Sequence, residues 1–479
     1  MAELTLEFET RSGAVSPESI SLVGFTGREE LGRPYEYELE LEVDADGGLG
    51  DDVLDDLLKR PCRMTFGSVE GLTEVHGLLR SIRVPTTHRP RPTRYVATLV
   101  PRLWAASQTQ RSRIFQNLDL AGITRVILNE LGLEEERAYT LALSKSYPTS
   151  EYTVQYQESD LDFLHRQLEH FGAYYYFVQE PDGERVVFVD SNAGLPRLEH
   201  PAPIPYAARE DGGADGVTAL GRTLTPKPAG VVLREYNWRT PSIQLQSEAP
   251  ADQDTGRGFF NEYGQHFKDL GAGAALAAVR AEELVASRDL YDGRTNVTAL
   301  CPGHRAEVSG HPLLGFDKEY VVTSITHEAG ERSLAYDKSF TAIPATVAFR
   351  SARRTPRPKI EGVMHGRVDG AVPGTAAPID EYGRYKILFP FDLAGEPGGK
   401  ATRWVRLAQP ASGAGYGIHF PLHIGAEVAV AHLDGDPDRP IIMNSPPNAE
   451  TLTPVRETNA TQSQIITQTG IRLTWDDDC

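Results

Sequence analysis

Residues 427–444, EVAVAHLDGDPDRPIIMN, decide how this chain is read. Val428 and Val430 alternate with small or polar neighbours, the period of a half-buried strand, and the strand runs from Glu427 to Leu433. Asp434-Gly435 is a turn dipeptide, Pro437 and Pro440 stiffen the connection, and Pro440–Asn444 opens a second apolar run. Upstream, Arg384–Phe389 and Thr402–Ala408, around Trp404, have the same short strand character. Even spacing with turn signals suits a small closed barrel of the OB type over residues 360–447, which needs about five strands; these are four of them.

Working outward, RSARRTPRPK at 350–359 is basic, proline-containing and without apolar periodicity, so a linker is placed at 351–359. A solvated linker is the favoured reading and a phosphate-binding arm the alternative. Before it, the chain is mainly β with some helices. Leu4, Leu6 and Phe8, and then Tyr35 to Leu41, alternate as antiparallel strands do. Leu120, Ile123, Val126, Ile127 and Leu131 lie on one helical face within 118–131, closed by Gly132. A second helix is predicted from an N-cap at Ser159, with Asp162 at the capping-box position, through Leu161, Leu164, Leu168 and Phe171 to Gly172. Tyr174–Val178 and Arg185–Val189 then flank the turn Pro181-Asp182-Gly183 as a hairpin. An Ala-rich helix is predicted over 274–288, with Leu276, Val279 and Leu284 apolar. After the barrel, Gln464–Thr467 and Ile471–Trp475 form two short β-like runs around Gly470, too polar to fold alone.

At 479 residues the chain is long enough for several cores, and a formal net charge of −19 argues against sequence-independent nucleic-acid binding, which needs clustered Lys and Arg. No run approaches the roughly eighteen apolar residues of a membrane span, and MAELTLEFETRSG lacks the basic and apolar regions of a signal peptide. The three cysteines, Cys62, Cys301 and Cys479, have no C-x-x-C spacing, which suits a reducing compartment.

Each catalytic motif fails at a required position. His327-Glu328 has Glu331 where a zinc protease needs its second histidine, and Gly399-Lys400 has Ala394 and Ala401 where a phosphate loop needs glycine and a hydroxyl. Gly413, Gly415 and Gly417 are followed by Ile418 where a dinucleotide motif needs glycine. Asp434, Asp436 and Asp438 have calcium-loop spacing, but Ser445 occupies the twelfth position; a rigid turn is favoured over a weak cation site. His419, His423 and His432 raise a metal cluster, with surface or interface roles favoured. The chain is read as a non-enzyme without a cofactor, and no catalytic or metal residue is assigned.

Several blocks carry a resemblance. They are Tyr95–Leu103 with Trp104, Ser112–Gln116, Tyr156–Leu164, Pro302-Gly303, His311-Pro312, Tyr320–Thr323 with His327, and Ile343-Pro344-Ala345. The barrel adds Asp380, Tyr382, Gly383 and Arg384; Phe389 and Pro390; Trp404 and Val405; and Asp434, Gly435, Asp436, Pro437, Arg439 and Pro440. In this order they resemble the VgrG proteins, the spike and hub of type VI secretion. The resemblance implies a phage-hub-like region over 1–350 with two β-barrel-like domains and helices, an OB domain over 360–447, and the start of a trimeric β-helix over 455–479. Ile466, Ile471, Leu473 and Trp475 are its expected trimer contacts. It also implies a homotrimer docked on a hexameric Hcp-like tube, with a PAAR-type tip protein, baseplate components and effectors as partners and no nucleic acid. Assembly would be cytoplasmic, followed by delivery outside the cell or into a target cell. Phe391 stands where that family commonly has tryptophan, and Cys479 falls where most relatives continue into a longer needle. The alternatives are the hub of a phage tail or extracellular contractile particle, and an OB-fold nucleic-acid binder stacking bases on Trp404, Tyr416 and Phe420.

Overall fold

A computed structural model of the chain describes residues 5–11, 19–44, 48–68, 71–84, 92–198, 203–206, 215–330, 333–393 and 395–478. Leu4, Glu331, Ala394 and Cys479 lie outside them. The chain forms two compact units: Met1–Thr109, Leu120–Tyr147 and Asp160–Pro356 make the first, and Gln110–Asp119, Pro148–Ser159 and Arg357–Cys479 the second. The first unit is therefore interrupted twice in sequence.

The first unit is built on a 12-stranded sheet. Its main path runs Thr5–Thr10, Pro61–Ser68, Gly71–Arg83, Thr93–Val100, Glu36–Val43, Ile20–Glu30, Lys318–Gly330, Ser333–Pro344, Asp289–Thr295 and Val217–Leu224. Alternation makes it amphipathic: Tyr37, Leu39, Leu41 and Val43 are buried between exposed glutamates. One continuous sheet carries two cores, joined where Ile20–Glu30 pairs with Lys318–Gly330. Gly27 sits in that seam because a Cβ there would lie 2.2 Å from the Tyr37 ring.

Four α-helices lie among the described residues. The first, α1 (Asp51–Lys59), was not expected; it buries Leu57 and starts on Asp51 and Asp52, which favour a helix N-terminus. The second, α2 (Leu120–Glu130), buries Leu120, Ile123 and Ile127 and ends at Gly132 with φ 74°, where Leu133 N–H bonds Leu128 carbonyl at 3.0 Å. The third, α3 (Asp160–Phe171), ends at Gly172 with φ 73° and leads into the hairpin Tyr174–Glu180/Gly183–Val189. The fourth, α4 (Leu270–Ala286), starts before the expected 274, at an Asp269 cap that accepts from Ala272 N–H at 2.8 Å. Gly271 and Gly273 hide that start in the sequence. Gly273 lets the helix approach the strand Leu245–Pro250, since a Cβ there would meet Ser247 Oγ at 2.4 Å.

The stretch 351–359 has no buried residue, as a solvated linker would, but its arginines and the preceding Arg350 are tied by ion pairs. Arg350, 5% exposed, bonds Glu282 at 2.7 Å and the carbonyls of Gly172 and Asp190. Arg353 pairs with Glu262 and Glu283, Arg354 with Glu30, and Arg357 approaches Asp436 at 3.8 Å. These guanidiniums are matched to carboxylates, which opposes a phosphate-binding arm.

In the second unit the barrel sheet has the order Ile387–Leu388, Val363–Val368, Glu427–His432, Pro440–Asn444, Arg406–Leu407. Val363–Val368 is the strand that the sequence left unnamed. The expected strands 384–389 and 402–408 shrink to two residues each, extended by a Tyr385–Val405 bridge. Val368, Tyr385, Ile387, Phe389, Val405, Val428, Val430 and Ile442 form the core.

Candidate assembly surface

The barrel's signature residues are mostly structural. Asp380 accepts from the Tyr382 and Arg384 amides at 3.0 and 2.9 Å and from Arg384 Nε at 2.7 Å, closing a turn that Gly383 makes possible at φ 69°. Burial alone would raise the Asp380 carboxyl, but these bonds hold it below its ordinary value. The Arg384 guanidinium lies 5.3 Å from the exposed Tyr382 ring. Phe389 is buried and stacks on Phe391 at 5.2 Å, while Pro390 is exposed. Lys386 sits 5.3 Å over Trp404, and Val405 exchanges both backbone hydrogen bonds with Tyr385.

Asp434 and Gly435 both have positive φ, 57° and 73°, and turn the chain between strands. Asp436 then accepts from Asp438 N–H at 3.0 Å, and Arg439 N–H bonds the Asp436 carbonyl at 2.9 Å. Pro437 and Pro440 are buried beneath the turn. Asp438 accepts from Val154 N–H at 2.6 Å, so the acidic triplet serves the turn and its neighbours.

The other motifs have similar local accounts. The Gly398 and Gly399 amides point at the chain's own Asp369 carboxylate, at 2.9 and 2.8 Å, where a phosphate loop would hold its ligand. His327 lies on a strand, 2% exposed, between Glu29 at 2.9 Å and Tyr336 at 2.7 Å. Gly413 and Gly417 lie in a two-stranded hairpin, Ser412–Gly413 with Tyr416–Gly417. The histidines do not converge: His419 bonds Tyr385 and Gln409, His423 bridges Ala376, and His432 is buried with neither ring nitrogen hydrogen-bonded.

The tail exposes several large apolar side chains. Gln462–Ile466 and Arg472–Asp476 pair as an antiparallel hairpin around Gly470, φ 90°. Ile465 lies opposite Leu473, and Ser463 opposite Trp475, so Ile465, Leu473 and Trp475 share one face with Ile471. These four side chains are 42%, 51%, 52% and 73% exposed. The register places Ile465 there rather than the expected Ile466, because a one-residue step reverses the face. Only the register carries that signal. Asp476 is held below its ordinary value by bonds from Gln462 and Thr461, which fasten the hairpin's open end. Within the second unit, Tyr416, Ile418 and Phe420 are also exposed. Among the described residues the hairpin pairs with no third strand, and a two-stranded hairpin with an exposed apolar face is marginal in water.

Comparisons with known proteins agree with this layout. Residues 28–333 match the family model described as phage tail baseplate hub (GPD), and residues 380–445 that of the type VI secretion system/phage-baseplate injector OB domain. The chain is 30% identical over 447 residues to the type VI secretion system spike protein VgrG4b of Pseudomonas aeruginosa, covering 88% of this chain and 54% of that protein. It is 29% identical over 460 residues to spike protein VgrG3 of Vibrio cholerae, covering 91% and 44%. The chain thus spans about half the length of such relatives. Among solved structures, the E. coli c3393 protein, a type VI component described as similar to T4 tail proteins gp27 and gp5, aligns with TM-score 0.69 at 23% identity over 92% of this chain and all of that one. A Francisella PdpA-VgrG complex aligns with TM-score 0.61 at 9% identity over 100% of this chain and 84% of that one.

Proposed function

This chain belongs to the phage tail baseplate hub family, and from that premise we propose that it is the hub and spike base of a type VI contractile injection machine, working as a homotrimer. The observation that carries the reading is the tail face of Ile465, Ile471, Leu473 and Trp475. It is apolar, exposed, and set on a hairpin with open edges. Three copies of such a hairpin bury the face and complete each other's ladders, which removes the edge.

Its work in this reading is mechanical. A trimeric hub docks on a hexameric tube, accepts baseplate components, and carries a tip protein and effectors beyond the barrel. No reaction is assigned to it. One relative is named as an actin cross-linking toxin, but this chain covers 41% of that protein. Among the described residues no helix is long and apolar enough to cross a membrane. Passage out of the cell is assigned to the machine, after assembly in the cytoplasm. The net charge of −19 supports this reading over nucleic-acid binding by the barrel.

The test is the mass in solution by analytical ultracentrifugation. A trimer is expected at micromolar concentration. A monomer that persists as concentration rises would overturn the proposal.

A further inference from the structure

The barrel's second unit contains chain that the barrel sequence does not supply. Gln110–Phe115 pairs with Thr153–Ser159 as an antiparallel ladder, extended by a Leu118–Ser150 bridge, and both segments belong with 357–479. The residues between them, Leu120–Tyr147, belong to the first unit. The chain therefore enters the second unit as a two-stranded arm long before the linker reaches it.

The arm is built into the barrel by several kinds of contact. Ile114 packs on the core of Phe389, Val430 and their neighbours. Val154 N–H donates to Asp438 Oδ1 at 2.6 Å, and the Asp438 carbonyl accepts from Arg403 at 2.8 Å. The same Arg403 lies 5.0 Å from the Tyr152 ring, which is 3% exposed. Gln116 donates to the carbonyls of Lys400 and Ala401 at 3.2 and 3.3 Å, and Tyr156 meets Phe391 edge-on at 5.5 Å. Gln157 has φ 50°, a conformation costly for a non-glycine residue, and its amide is fixed by Ser112 Oγ at 3.0 Å. That cost is tolerated where surrounding contacts over-determine the backbone.

We propose that this arm is a latch: a second, non-covalent attachment that holds the barrel to the rest of the chain, with Asp438 as its catch. The linker at 351–359 is one covalent connection. An arm seated in the barrel acts in parallel with it, so separation requires shearing a buried ladder off the barrel as well as extending the linker. The use of such a latch, to carry thrust or tension through the spike base, rests on the hub reading above; the latch itself does not.

The experiment places a flexible protease site between Pro356 and Arg357 of the full chain, cleaves it, and follows both fragments by size exclusion. The fragment 357–479 is expected to stay with 1–356 after cleavage. Ile114→Asp is expected to release it, and Asp438→Asn, which keeps the side-chain shape, to weaken retention by about tenfold through loss of a charge-assisted bond. Circular dichroism of the uncleaved variants checks folding; if Ile114→Asp fails that check, Asp438→Asn decides. Separation of the unaltered fragments overturns the latch, and so does undiminished retention in a folded arm variant. The mass of the uncleaved protein reads the trimer separately, so the two proposals fail independently.

Discussion

Glu169 accepts a 2.6 Å hydrogen bond from Arg33 across 136 residues of sequence, and its other oxygen accepts the Thr355 amide at 3.1 Å. With 4% of its side chain exposed, this carboxylate gathers an early turn, the third helix and the stretch that precedes the barrel. Replacing Glu169 with Ala leaves Arg33 and Thr355 without that acceptor. Urea unfolding is expected to show a loss of about 3 kcal/mol, with Glu169→Gln intermediate. A change within about 0.5 kcal/mol would mean that water replaces the carboxylate without cost.

Acid should weaken both units through buried neutral histidines. Burial, with Arg33 adding to it, pushes His165 down to about 3, and burial pushes His432 down to about 4 against the opposing pull of Asp436. His165 Nδ1 faces the Arg33 guanidinium at 2.9 Å and so accepts, leaving Nε2 to donate to Tyr175 at 2.8 Å. Because each folded value lies below the unfolded one near 6.5, the unfolded chain takes up protons first as pH falls. Stability is complete above about pH 6.5 and drops by about 1.4 kcal/mol per pH unit for each group until its folded value is reached. Denaturation midpoints at pH 7.5, 6 and 5 measure this, and a flat profile would contradict it.

His432→Phe separates the two histidines. Neither His432 nitrogen has a hydrogen bond, and its ring lies 6.2 Å from Phe389, so an apolar ring of similar shape removes a buried unpaired polar group. The variant is expected to be more stable than the parent by about 1 kcal/mol or more at pH 5. It should also lose part of the acid slope. Destabilisation at every pH would mean that the imidazole is satisfied in solution.

Leu473→Ser with Trp475→Ser tests the tail face. Sedimentation should show loss of the trimer, while circular dichroism of the twelve-stranded sheet stays unchanged. Retention of the trimer would move the principal contact elsewhere, with Tyr416, Ile418 and Phe420 the next surface to alter.

Asp380→Ala removes an acceptor used by two amides and the Arg384 guanidinium. The cost is expected to be about 2 kcal/mol, seen as an earlier unfolding transition of the second unit. A Glu replacement, one methylene longer, should restore little of it, because the turn depends on the short side chain.

Local pattern marks much of the fold. The alternation of Val428 and Val430, the apolar stripe of Leu120, Ile123 and Ile127 and the glycines at 132 and 172 are consequences of side-chain period and backbone sterics, which act within a few residues. They were enough for a mainly β chain with helices and an OB-type barrel, and the ordered blocks from Tyr95 to Pro440 were enough for the family. Asp51–Lys59 escaped because a nine-residue helix among strands shows too few turns for its period to stand out.

Contacts between distant residues were beyond that reach. That Arg350, Arg353 and Arg354 pair with Glu282, Glu262 and Glu30 has no mark in the basic run itself. Whether Ile465 or Ile466 joins Leu473 and Trp475 depends on which residues pair across the hairpin, and a single step reverses the answer. The membership of Gln110–Asp119 and Pro148–Ser159 in the barrel's unit has no local mark at all. Period and turn chemistry are written into neighbouring residues, whereas a partner hundreds of positions away is chosen by packing, where burial and charge pairing are settled together for the whole chain.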